Sequence, residues 1–157
     1  MNTTSFLIAT NGRLKWWLHH TLSDLTPEQL QYSAPTIDDR PIAEVAMHAI
    51  TVLLGYATVV AGLDWSAEDY PPDRWPSRLA RPASATELVA ALDALLAQVD
   101  ELLSGLSAGE LDNVVTFPFG QQQAGDALSA GLTHALTHVG SIAGIRAIGG
   151  FPLPPGY

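Results

Sequence analysis

Residues 45–63, VAMHAITVLLGYATVVAGL, run for nineteen residues without a carboxylate, lysine or arginine. Such a segment must hide nearly its whole circumference, which leaves two structures open: a helix that crosses a bilayer, or one enclosed by other helices. Its length fits a bilayer. His48 inside it, its many Ala, Gly and Thr residues, and the flanking Glu44 and Asp64 in place of Lys or Arg anchors argue for enclosure. Residues 127–145 are equally free of charge. Two such helices in one small chain are expected to pack on each other, with no membrane span, and their surplus apolar surface would serve a homodimer.

The remaining helices can be placed from their punctuation. A first helix is expected from about Thr4 to Asp24, with Phe6, Thr10, Leu14, Trp17, Leu18, Thr21 and Leu22 recurring at three and four. Pro27 disfavours helical geometry at Thr26 and should end it. The second helix opens near Asp39 to Pro41 and closes at Ala61-Gly62. The third opens on Ser84-Ala85-Thr86-Glu87, a capping-box spacing, and continues through Leu88, Leu92, Leu95, Val99 and Leu103 to Gly105. After a turn at Ser107 to Asp112 and the breakers Pro118 and Gly120, the fourth runs from about Gln123 to Ile148 and stops at Gly149-Gly150. No stretch alternates for long enough to predict a sheet.

One connection carries topology. LDWSAEDYPPDRWPSRLARPA, between the second and third helices, is far longer than an antiparallel hairpin requires. About twenty extended residues reach roughly 65 Å, against about 30 Å for a twenty-residue helix. The chain can therefore travel back along the molecule and make these two helices parallel. The expected fold is all-α: residues 1–157 form one domain, a four-helix bundle with a long crossover between helices 2 and 3. Trp65, Tyr70 and Trp75 in the crossover are expected as core plugs or interface anchors rather than a ligand lid.

Charge and cysteine usage exclude several functions. Seven Lys plus Arg against sixteen Asp plus Glu give a formal charge of -9, which repels a phosphate backbone or an anionic membrane, so neither is an expected partner. Zero cysteines exclude disulfides, thiolate metal sites and a protein-borne thiol nucleophile. MNTTSFLIATNGRLKWW lacks the basic and apolar regions of a signal peptide, and a cytoplasmic location is expected.

Against that background two histidines stand out. His134 and His138, in THALTHVG, lie four residues apart and so on one helical face, with Cβ atoms roughly 6 Å apart. Two imidazoles so placed can converge on one metal ion or can be ordinary interior residues. His48 lies in the first half of the enclosed second helix, from which it could face that pair. Three imidazoles from two helices would leave positions open on a divalent ion. His19 and His20 are adjacent, hence on different faces, and are expected at the surface or in packing. Glu44, one turn before His48, is a candidate to ligate, orient an imidazole or take a proton, and equally an ordinary first-turn carboxylate. Arg146, two turns after His138, is a candidate to hold an anionic substrate or, again, a partner of the helix dipole.

Taken together, the histidine early in the second helix, the Pro-rich crossover, LSAGELD, TFPFG and the ending HALTHVGSIAGIRAIGG resemble the DinB-like proteins and the related mycothiol-dependent maleylpyruvate isomerase domains. The resemblance spans nearly the whole chain. It implies an up-down-down-up bundle with a metal held by His48, His134 and His138. Ser141 stands where such proteins frequently carry glutamine. The function implied is that of a divalent-metal-dependent enzyme, an S-transferase or thiol-dependent isomerase that joins a low-molecular-weight thiol cosubstrate to a small-molecule substrate. Zinc or nickel is the expected ion, with iron and manganese as further candidates. Two alternatives are a metal-dependent hydrolase and a non-catalytic, dimeric, stress-associated binding protein.

Overall fold

The computed structural model describes residues 3–65, 75 and 79–154. These residues are mostly helical: α1 (Thr3–Leu22), the short α2 (Pro27–Leu30), α3 (Ile42–Val60), α4 (Ala85–Ser104) and α5 (Ala124–Gly149). Leu14, Leu18 and Leu22 of α1 join Ile42, Met47, Ile50 and Leu53 of α3, Leu88, Leu92 and Val99 of α4, and Ala135, Val139, Ile142 and Ile145 of α5 in one apolar core. Each leucine fully removed from water contributes about 1.5–3 kcal/mol, so this face of each helix outweighs its weak intrinsic propensity.

Helix boundaries reflect local chemistry. Pro27 does separate α1 from the next helical turn, but it also starts that turn, α2, where Thr26 and Gln29 form a reciprocal capping box. α3 begins at Ile42 with Pro41 as its cap, three residues later than Asp39. Ser84 caps α4 by accepting from Glu87 N, and Glu87 accepts from Ala83 N at 2.8 Å. α5 ends at Gly150, whose φ of 79° is the left-handed conformation that glycine adopts without strain.

The absence of a sheet is corrected by a small antiparallel hairpin, β1 (Val114–Phe117) paired with β2 (Gly120–Gln123). Each strand has four residues, too few to display an alternating pattern, and the register joins Phe117 to Gly120 across Pro118-Phe119. Gly120 turns the chain with φ 142°. Phe117 is buried and stacks on Phe119 with ring centroids 5.1 Å apart, while Tyr56 of α3 lies 5.0 Å from Phe117.

α1 packs on α4 and α5, and α3 packs on the same two. Along the first contact Asn11 Nδ2 donates to Asp100 Oδ1 at 2.8 Å, and His19 lies 2.9 Å from Asp93, so the contacts climb α1 as they descend α4. The contact of α3 with α5 is the most extensive among the described residues. At its centre a Cβ on Gly131 would sit 3.2 Å from Leu53 Cδ1 and from Tyr56 Cβ, so only glycine allows this separation without a shift. α3 is long and apolar enough to cross a membrane, yet 67% of its most apolar window is buried within the protein. Its apolar circumference is spent on helix contacts.

The crossover is described only in part, and Tyr70 lies outside the described residues. Trp65 lies against α3 where Gly55 leaves room, a Cβ there meeting Trp65 at 2.9 Å. Trp75 Nε1 donates to Leu79 O at 2.8 Å. Both rings pack against the core.

Candidate metal centre

α3 and α5 bring His48, His134 and His138 together. Each offers a ring nitrogen, and these three atoms lie within 4.8 Å of one another. His48 Nε2 is 3.1 Å from His134 Nε2, near the roughly 3.3 Å that separates two nitrogens bound at about 2.0–2.1 Å to a tetrahedral ion. The His134 and His138 rings sit edge to face at 4.5 Å, and both face His48 at 4.9–5.0 Å. The helical repeat sets the first of these relations. The packing of α3 on α5 sets the other two.

The surroundings keep these imidazoles neutral. Burial, helped by the Arg40 guanidinium and the other two histidines, pushes His48 down to about 3. Burial likewise pushes His138 down to about 4, aided by His134 and Arg40, and burial and Arg40 lower His134. At neutral pH each ring therefore has one N–H and one lone pair, the state in which histidine ligates a metal. Nδ1 of His48 and Nδ1 of His138 are buried without a hydrogen-bond partner. Three lone pairs in so small a volume fit a divalent ion, and these residues could hold one.

The other histidines and the two further candidates are not members of this group. His19 bonds Asp93 on α4, and His20 stacks on Trp16 at 5.3 Å. Glu44 accepts from Arg81 Nη1 at 2.6 Å, tying the start of α3 to the segment before α4, and it is not part of the three-histidine group. Arg146 is 1% exposed, and its donors all point into the protein. Nη1 donates to Thr21 O and Asp24 Oδ1, Nη2 to Asp24 Oδ2 and Pro152 O, and Nε to Phe151 O. A guanidinium has five N–H groups, so none is left for a substrate. Its place as a substrate-holding candidate is corrected to that of a clasp joining α1, α5 and the segment after it.

Two residues beside the histidines carry no motif of their own. Asp38 and Arg40 form a forked ion pair, with Arg40 Nε donating to Asp38 Oδ1 at 2.9 Å and Nη2 to Oδ2 at 2.7 Å. Asp38 Oδ2 lies 4.0 Å from His138 Nδ1. In the sequence Asp38-Asp39-Arg40-Pro41 signals a helix start, and that local role conceals its proximity to the site.

Comparison with known proteins supplies the lineage of this arrangement. The model of the DinB superfamily matches residues 17–142, a span that includes all three histidines. The chain belongs to the DinB superfamily. A crystal structure of a DinB-like protein, YjoA from Bacillus subtilis, superposes with a TM-score of 0.65 at 15% identity, covering 97% of this chain and 95% of that one. At that identity the likeness between the two DinB-like chains is one of fold. No curated protein matches the sequence.

Proposed function

We propose that this DinB superfamily protein is a divalent-metal-dependent enzyme that joins a low-molecular-weight thiol to a small electrophilic substrate, by S-transfer or thiol-dependent isomerisation. His48, His134 and His138 would hold the ion. The observation that carries this reading is the convergence of three neutral imidazoles, from α3 and α5, to within 4.8 Å. A divalent ion so held would lower the pKa of a bound thiol or water and so would supply a nucleophile near neutral pH. The chain has no cysteine, so the thiol must be a cosubstrate. The chain's own residues contribute neutral, half-buried donors and the Arg40 charge beside the site. Zinc or nickel suits the all-nitrogen donor set, with iron or manganese as alternatives.

The architecture in this proposal is one domain, an up-down-down-up four-helix bundle. Its support is the opposed order of the α1 to α4 contacts, the opposed order in which His48 and Tyr56 meet His134 and Gly131, and the Glu44 to Arg81 bond near the starts of α3 and α4. The same proposal places the protein in the cytoplasm, without nucleic-acid or membrane partners, as a homodimer. Exposed Phe6, Trp16 and Ile148 favour self-association, which sedimentation velocity measures directly.

Elemental analysis of protein purified without a metal-affinity tag tests the central claim, beside a variant with all three histidines replaced by alanine. The expected result is near-stoichiometric metal in the parent and none in a still-helical variant, followed by turnover in a screen of thiols against electrophiles. A parent that stays metal-free and cannot be loaded at neutral pH would overturn the proposal. Loaded protein that hydrolyses esters or amides without a thiol would replace it by a hydrolase.

A further inference from the structure

The segment between α2 and α3 is held in one place by its own bonds. Ile37 N and Asp38 N both donate to Ala34 O, at 2.8 and 2.9 Å, and Ile42 N donates to Tyr32 O at 3.0 Å. Ile37 lies over Gly144 of α5, where a Cβ would meet its Cδ1 at 2.7 Å. This docking puts the Asp38 carboxylate beside His138, which is on the same helix as Gly144.

Acceptor accounting at Asp38 leaves one position open. Oδ1 accepts from Arg40 Nε and from Arg40 N, and Oδ2 accepts from Arg40 Nη2. A carboxylate has about four acceptor sites, two per oxygen, so the free one is on Oδ2. That is the oxygen 4.0 Å from His138 Nδ1. Nδ1 is itself buried without a hydrogen-bond partner, and the two side chains are only 10% and 13% exposed. Asp38 is not a member of the group whose donor atoms all lie within 4.8 Å of one another. It neighbours one histidine of the group rather than joining the group itself.

We propose that Asp38 is a positioning residue for His138, its Oδ2 accepting from Nδ1–H so that Nε2 carries the lone pair that meets the metal. This rests on the metal-binding reading above. A neutral imidazole has a single N–H, and fixing it on Nδ1 selects the tautomer and the ring orientation. The gap must close by about 1 Å to reach ordinary hydrogen-bond length, a small rotation of either side chain. Arg40 has the complementary task of holding the Asp38 carboxylate in place through their forked ion pair.

The test measures zinc affinity by competition with a chromogenic chelator in the parent, Asp38→Ala, Asp38→Asn and Arg40→Gln, with a long-range 1H–15N correlation spectrum of the zinc-loaded parent. D38A is expected to weaken zinc by about 10- to 100-fold, with D38N, which retains an acceptor oxygen, in between. R40Q, which removes the same ion pair from its other side, is expected to lose less than D38A. The spectrum should show His138 protonated at Nδ1 and ligated through Nε2. Ligation through Nδ1, D38A and D38N affinities within about threefold of the parent, or equal losses in D38A and R40Q would overturn the positioning role while leaving the metal site standing. A parent that takes up no zinc would overturn both. The parent's spectrum decides the tautomer even if a variant fails to fold.

Discussion

At the scale of single residues, two polar groups in this protein are buried for opposite reasons. Arg146 is buried with every donor used, whereas the half-buried His48 and His138 each keep a buried Nδ1 without a partner. Arg146→Met leaves Asp24 and the carbonyls of Thr21, Phe151 and Pro152 without their donor and should cost about 3 kcal/mol in urea unfolding. The Asp24 carboxyl lies below its ordinary 3.8 because it accepts from Arg146. The unfolded chain therefore takes up that proton first as the pH falls. The contribution of the pair is full above about pH 4 and is lost as the pH drops through the lower folded value. Urea midpoints of the parent and Asp24→Asn should thus differ at pH 7 and draw together as the pH falls below the ordinary carboxylate range, by a modest amount because Asp24 is half exposed. Single alanine variants of His48, His134 or His138 should each weaken zinc by more than the roughly 100-fold expected of an outer residue, with helicity by circular dichroism unchanged.

At the scale of elements, the α3 to α5 contact governs the site. Gly131→Ala would gain about 1 kcal/mol of helix propensity but would press a methyl to 3.2 Å from Leu53, Tyr56 Cβ and the Tyr56 ring, and Tyr56 Cβ cannot rotate away. Overpacking of this kind costs about 1–3 kcal/mol, so the expected net is destabilisation near 1 kcal/mol, together with weaker zinc binding as His48 moves off the α5 pair. An unchanged or raised melting temperature would show that the contact has slack. Element ends were the most legible part of this chain. Ser84 and Glu87 at the start of α4 and Gly150 after α5 act through bonds within a few residues, so their pattern is visible locally. The hairpin was not legible, because Val114–Phe117 and Gly120–Gln123 owe their pairing to each other and to Phe117 lying against Tyr56.

At the scale of the whole molecule, a ligand that binds only the folded chain raises its stability by mass action. At a hundredfold excess of metal over its dissociation constant the gain is about 2.7 kcal/mol, or about 5–10 °C in melting temperature for a chain of this size. Calorimetry of chelator-treated protein before and after zinc measures it, and the triple histidine variant should show no shift. The chain's own pattern carried a great deal: helical segments from spacing, and the shared face of His134 and His138, which comes from 3.6 residues per turn. His48 was legible as a residue on an enclosed helix, and its meeting with the pair required α3 to dock at one height and rotation on α5, which Gly131 permits. Asp38 beside His138 and Arg146 turned inward were settled by contacts between segments about 100 or more residues apart. Short-range hydrogen bonds and periodicity are written in neighbouring residues. Long-range juxtaposition depends on how whole faces fit together, and that fit is a property of the packed molecule.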